Sequence, residues 1–220
     1  MNKRNIVLII VAVSVVGTVL YNMYLAGNST PKGSFLFQSD VGEVTVTIIG
    51  PEETIRSGVT GQNGELTLKD LPDGHYQAIA TKFGYNTHYL MSLSITNGRT
   101  STVQVYMTPI PPEQTLLTST DPNAIIIRQG SSGTITVTVN SPNDYESVVT
   151  LRCNQLPSGV TAAFDPPSFT LAAGGEATST LTLTTSTTAA KGIHTVNIET
   201  ENMHGHAIDV LWIGLLLQVS

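Results

Sequence analysis

The chain is poor in cysteine, in charge and in aromatic rings. Its single cysteine, Cys153, cannot form an internal disulfide, so whatever folds here must hold by core burial alone. Charged residues make up 12% of the 220 positions, about half of the ~25% usual for soluble domains. With 10 basic and 16 acidic residues the net charge is −6, which argues against a nucleic-acid partner because nothing would draw a polyphosphate. Aromatics are 6% of the chain, leaving few rings to line a sugar-binding groove. No G-x-S-x-G, H-E-x-x-H, Walker or Rossmann pattern occurs. The sequence therefore reads as non-enzymatic and without a cofactor; its abundant Ser and Thr are strand chemistry, not nucleophiles.

One thing it does not lack is a long apolar run. Ile6 to Ala26 carries no charge, and Lys3 and Arg4 precede it. At ~1.5 Å per residue, twenty helical residues span the ~30 Å of bilayer hydrocarbon. Positive charge stays inside, so the expectation is a single-pass anchor over 6–26, a cytoplasmic tip at 1–5 and everything from residue 27 outside the cell membrane. Tyr21 and Tyr24 fall at the outer membrane interface. A cleaved signal peptide is the competing reading, although Tyr24 stands where a signal cut needs a small residue. No cysteine stands directly after the run, against a lipoprotein, and no Lys/Arg-Gly pair precedes it, against an archaeal-type pilin leader. In the linker 27–33, Asn28-Ser29-Thr30 is a glycosylation tripeptide: Asn28 is either modified in a host with the machinery or bare.

Residues 34–108 alternate as strands do. Val44, Val46 and Ile48 share one face, with Thr45 and Thr47 on the other. Glu65–Lys69, Tyr76–Ala80 and Ser101–Tyr106 continue the pattern. Gly61-Gln62-Asn63-Gly64, Pro72-Asp73-Gly74 and Asn97-Gly98 are turn signals, since Asn and Gly tolerate the positive φ of tight hairpins. Thr60 to Leu68, then Leu71-Pro72-Asp73-Gly74-His75-Tyr76, then Ala80 to Tyr85, resembles the carboxypeptidase regulatory-like domain. That resemblance implies a seven-stranded, transthyretin-like sandwich and a non-catalytic accessory module on extracellular or membrane-linked proteins. Tyr76 is expected to bury its ring and bond through its hydroxyl.

Residues 109–122, with Pro109, Pro111 and Pro112, read as a stiff spacer. Residues 123–220 are again all β: Thr134–Val139 and Ser179–Thr184 alternate almost purely, and Val148–Leu151, Phe169–Leu171, His194–Ile198 and Ile208–Val219 add strands. Cys153 follows Val149 and Leu151 at period two and should point into a core. Leu156 to Phe164, Pro166 to Leu171, Ala173-Gly174-Gly175 and Lys191 to Val196 are together similar to a widespread prokaryotic Ig-like surface domain, with His194 where an aromatic is usual. The similarity implies stalk, adhesion or scaffold roles and no catalytic residues.

The last strand is apolar on both faces. Leu211, Ile213, Leu215, Leu217 and Val219 should fill the core, while Val210, Trp212 and Leu216 occupy the opposite face. Such a strand is covered twice, either by the first domain and local loops or by another subunit, for which Trp212 is the leading contact. His204 and His206 could share a metal on a strand, but Asn202–Gly205 reads as a turn and no third ligand stands near; a solvated hairpin tip is the alternative. Asp70 and Asp73 flank a turn and supply too few oxygens for calcium alone.

The expectation is an all-β protein of two tandem Ig-like/transthyretin-like β-sandwiches behind one transmembrane helix. It would be a membrane-anchored extracytoplasmic scaffold or accessory subunit whose partners are the lipid bilayer and other membrane or surface proteins, in a homo- or hetero-oligomer. The alternatives are a secreted filament or pilus subunit joined by strand addition, and a carbohydrate-binding or adhesion module.

Overall fold

A computed structural model describes residues 31–110, 116–141, 146–204 and 207–220, with side chains except those of 147 and 202–212. The anchor and the membrane-interface and glycosylation positions Tyr21, Tyr24 and Asn28 therefore lie outside the described residues. No described helix is long and apolar enough to cross a membrane. All regular structure described is β.

Seven strands build the first sandwich: β1 (Lys32–Ser39), β2 (Thr45–Gly50), β3 (Thr54–Val59), β4 (Glu65–Pro72), β5 (Gly74–Thr81), β6 (His88–Ile95) and β7 (Thr100–Val105). They form one sheet in the order β4-β1-β7 and a facing sheet β3-β2-β5-β6. Phe35, Phe37, Val44, Val46, Ile48 and Tyr76 meet between them. Tyr76 behaves as expected. Its ring edge packs on Phe35 at a centroid distance of 5.3 Å, and its hydroxyl donates to the carbonyl of Pro72 at 2.6 Å.

The three glycine turns are tight, but they are not hairpins. Each lies between strands of opposite sheets: β3 and β4, β4 and β5, β6 and β7. Turn chemistry fixes a reversal of direction, and the burial of both flanking strands fixes which sheet is entered. The true two-stranded reversal between β2 and β3 runs through Pro51-Glu52-Glu53, where Thr54 N–H reaches Pro51 O at 3.0 Å. Both glutamates there have positive φ, 55° and 54°.

The second sandwich contains β8 (Leu117–Asp121), β9 (Ala124–Ile127), β10 (Ser132–Asn140), β11 (Ser147–Asn154), β12 (Val160–Asp165), β13 (Ser168–Leu171), β14 (Glu176–Thr185), β15 (Gly192–His204) and β16 (Ala207–Val219). The sheets run β12-β14-β10-β8 and β13-β11-β15-β16-β9. Threonines 134, 136 and 138 of β10 stand opposite threonines 182, 180 and 178 of β14 on the outer face, while Ile135, Val137, Val139, Leu181 and Leu183 point inward. Ile213, Leu215, Leu217 and Val219 fill the core from β16, as the alternation predicts. Cys153 packs at the edge of the same core.

Two expectations need correction. Leu117–Asp121, read as spacer, is a strand paired with β10, and Leu116 is buried in the second core. The prolines before it mask a short apolar-Thr-Ser-Thr strand. Asn202–His204, read as turn, extends β15, with Asn202 opposite Asp209 and His204 opposite Ala207. Pairing along thirteen positions outweighs the local turn preference of Asn.

Candidate interaction site between the two sandwiches

Alternation fails where the sandwiches meet. In β2 and β5 the residues facing away from the first core, Ile49 and Ile79, are fully buried. They pack with Ala124 of β9 and Leu216 of β16, flanked by Ile55, Tyr89, Ile126 and Ile193. The doubled apolar positions Ile48-Ile49 and Ala78-Ile79-Ala80 are the sequence signal for this contact. Leu216 thus takes the first of its two readings: it is fully buried against the first sandwich and is not open to another subunit. Val210 and Trp212 stand opposite Glu201 and Glu199 in the β15–β16 ladder, and their side chains lie outside those described.

Glycine makes the close approach possible. A Cβ on Gly214 would collide with the hydroxyl of Tyr89, whose ring lies against β16. Burial raises the Tyr89 phenol well above its ordinary range. Its hydroxyl is buried without a hydrogen-bond partner among the described residues, as are Gln77 Oε1, Thr195 Oγ1, Gln218 Oε1 and Thr120 Oγ1. Gln77 shares the outward face of Ile79, and Thr195 and Gln218 share that of Ile193 and Leu216. Unpaired buried polar atoms each cost about 1–3 kcal/mol unless water reaches them. Their concentration marks a joint between two bodies, with an apolar centre and polar flanks.

Along one flank a crevice opens. One lobe of about 240 Å³ lies between the Lys82–Tyr85 loop after β5, Ile110 of the connector and Leu117–Thr120 of β8. A second of about 340 Å³ lies between Thr47, Ser57 and Asp121–Ala124. Thr45, Thr81 and Thr120 belong to both. The connector is pinned beside it: Asn86 N–H reaches Thr108 O at 2.8 Å and Ile110 N–H reaches Gly84 O at 2.9 Å. Lys82 pairs with Glu43 at 3.7 Å, and Asn123 Nδ2 reaches Thr81 Oγ1 at 3.4 Å. Phe83 stands at the rim with 69% of its surface exposed. Sequence reading missed this ring, because Phe83 in its Lys-Phe-Gly-Tyr setting looks like part of a strand end.

The other candidate chemistry does not assemble. Both oxygens of Asp73 are occupied by backbone, accepting from Asn97 N–H at 2.6 Å and Gly98 N–H at 2.9 Å. Asp73 is therefore a turn clamp. Among the described residues no group of three or more His, Cys, Asp or Glu could hold a metal. His204 lies in β15 with its side chain outside those described, and His206 is not described. Burial pushes the Cys153 thiol up to about 12, which makes it a poor nucleophile.

No family model matches the chain, and no curated protein matches it. Among solved structures it is similar to the major pilin subunit of Bacillus cereus, at 12% identity over 86% of this chain and 70% of the pilin, with a TM-score of 0.32. The full-length major pilin of Corynebacterium diphtheriae is 12% identical over 85% of this chain and 66% of that one, TM-score 0.30. Escherichia coli alpha-2-macroglobulin is 9% identical over 87% of this chain and 22% of that one, TM-score 0.34. Likenesses this slight carry no argument about function.

Proposed function

We propose that the chain is a non-catalytic, membrane-anchored extracytoplasmic scaffold, in which two β-sandwiches act as one stiff arm that presents surfaces to other membrane or surface proteins. The observation that supports it is the sheet-to-sheet contact of Ile49 and Ile79 with Ala124 and Leu216. Two sandwiches on a free linker would need no fully buried residues on their outer faces. The arm begins close to the apolar run, since only residues 27–31 separate Ala26 from Lys32. A linker that short holds the body near the lipid headgroups.

The test is fractionation of the native host. The full chain stays in the pellet after carbonate extraction, is released by detergent, and is digested by protease added outside intact cells. Detergent-solubilised chain brings down defined membrane or surface partners. Recovery from the cytosol, or release by carbonate alone, sinks the anchor; substrate turnover by the purified protein sinks the scaffold.

One observation favours a second reading, the filament subunit. β16 pairs with β15 at thirteen positions but with β9 only at Leu216–Val219. Among the described residues no strand pairs with the other edge of Ala207–Leu215. An open apolar edge accepts an added strand. Concentration-dependent fibres in negative-stain images would favour this reading.

A further inference from the structure

We propose that the crevice between the sandwiches binds one or two rings of a neutral oligosaccharide. This goes beyond the scaffold reading and stands or falls separately from the anchor.

The chemistry of the walls selects the class. Half of the residues lining the first lobe carry hydroxyls, among them Thr45, Thr87 and Ser119, while Thr81 Oγ1 already accepts from Asn123 Nδ2 and Thr118 Oγ1 is bonded to Thr200 Oγ1. A hydroxyl donates and accepts and turns to suit its partner, as sugar hydroxyls do. Thr120 belongs to the lining of both lobes, but its Oγ1 is itself buried and out of a ligand's reach. An apolar ligand that covered the remaining hydroxyls, such as those of Thr45 and Ser119, would leave them unpaired, at a cost of about 1–3 kcal/mol for each one buried. A polyanion finds little attraction: the lysine in the wall is already paired with Glu43, and the whole chain carries −6.

Size and shape narrow it further. Lobes of about 240 and 340 Å³ lie at or below the lower end of the ~300–1,000 Å³ typical of small-molecule sites. They suit rings of sugar size. Phe83 supplies the other half of sugar recognition, a flat apolar face at the mouth on which the C–H face of a pyranose can lie. In a chain so poor in aromatics, a ring left 69% exposed beside this crevice brings both requirements together among the described residues.

The experiment is saturation-transfer NMR on the full chain in a zwitterionic detergent, chosen because glycoside detergents are themselves sugars. The probes are maltotriose, cellotriose, lactose and tri-N-acetylchitotriose. At least one shows transfer, with a dissociation constant in the micromolar to millimolar range. Phe83→Ala weakens that binding at least five-fold, and Ser119→Ala, which removes an exposed hydroxyl of the lining, at least three-fold. Tyr106→Ala, which removes an exposed ring outside the crevice, leaves it unchanged. Circular dichroism checks that each variant is folded. The proposal is overturned if none of the four probes shows transfer to the folded chain. It is equally overturned if binding survives both crevice variants, or if Tyr106→Ala weakens it as much as Phe83→Ala.

Discussion

The hydroxyl of Tyr89 in the first sandwich lies over Gly214 in the second, in the space that any side chain at 214 would occupy. Gly214→Ala must push the sandwiches apart or displace the Tyr89 ring. Overpacking of this kind costs about 1–3 kcal/mol, and for a chain of this size each kcal/mol moves the melting temperature by roughly 2–4 °C. Scanning calorimetry should show that loss and its recovery in the double variant Gly214→Ala with Tyr89→Leu. Tyr89→Phe alone removes a hydroxyl that has no described partner, so it should be neutral or stabilising. A clear loss from Tyr89→Phe would show that the hydroxyl is bonded, through water or otherwise.

Tyr76 makes the opposite case. Its hydroxyl donates to Pro72 O at 2.6 Å, so Tyr76→Phe removes a satisfied bond. The expected cost is about 0.5–1.5 kcal/mol, read from the urea midpoint. Equal midpoints for Tyr76→Phe and the parent chain would contradict this account.

Asp73 gives a prediction about metal. Its carboxylate clamps the amides of Asn97 and Gly98, one on each oxygen, and no cluster of further carboxylates stands beside it among the described residues. Asp73→Ala should destabilise by about 1–3 kcal/mol, as for hydrogen bonds to charged groups. Calcium or EDTA should leave the melting temperature of the parent chain unmoved. A calcium-dependent rise that Asp73→Ala abolishes would overturn the clamp.

The β2–β3 turn stores strain. Glu52 and Glu53 both sit in the left-handed region, which costs an L-residue roughly 1–2 kcal/mol. Replacing the pair by Asn-Gly suits the geometry and should raise stability by about 1 kcal/mol or more. The loss of the exposed Arg128–Glu53 ion pair at 3.7 Å offsets little of that. A lower melting temperature in the Asn-Gly variant would mean that the glutamates make contacts the turn depends on.

High pH should unfold the protein in a defined window. Burial raises Cys153 from 9.0 to about 12 and Tyr76 from 10.0 to about 12, and raises Tyr89 as well. Below about pH 8 all three are neutral in both states, and their contribution is complete. Above that the unfolded chain ionises first, the thiol before the phenols, so stability falls as pH rises towards the folded values. Urea midpoints should hold steady from pH 7 to 8 and decline increasingly from there to pH 11. Cys153→Val should move the onset up, to where the phenols begin to ionise. A flat profile to pH 11 would be inconsistent with these buried groups.

Much of the fold was legible in residue order. Alternation located β4, β5, β7, β10, β14 and the inward face of β16, because one buried and one wet face write a period of two into any strand. Weaker segments escaped: β3 and β6 alternate poorly, and β8 hid behind prolines. The crevice was not legible at all. Phe83, Thr45 and Thr120 are far apart in sequence and individually ordinary, and only the apposition of two sheets gives them a common space.

Residue order encodes the strongly alternating strands, the turns and the inward faces, since these follow from each residue's own backbone preferences and hydrophobicity. Tertiary structure alone decided which sheet each turn enters, that Leu216 packs inward against Ile49 and Ile79, and that Gly214 must stay bare beneath Tyr89. Those outcomes depend on surfaces meeting across long separations in the chain, and no local pattern encodes which surface will be opposite.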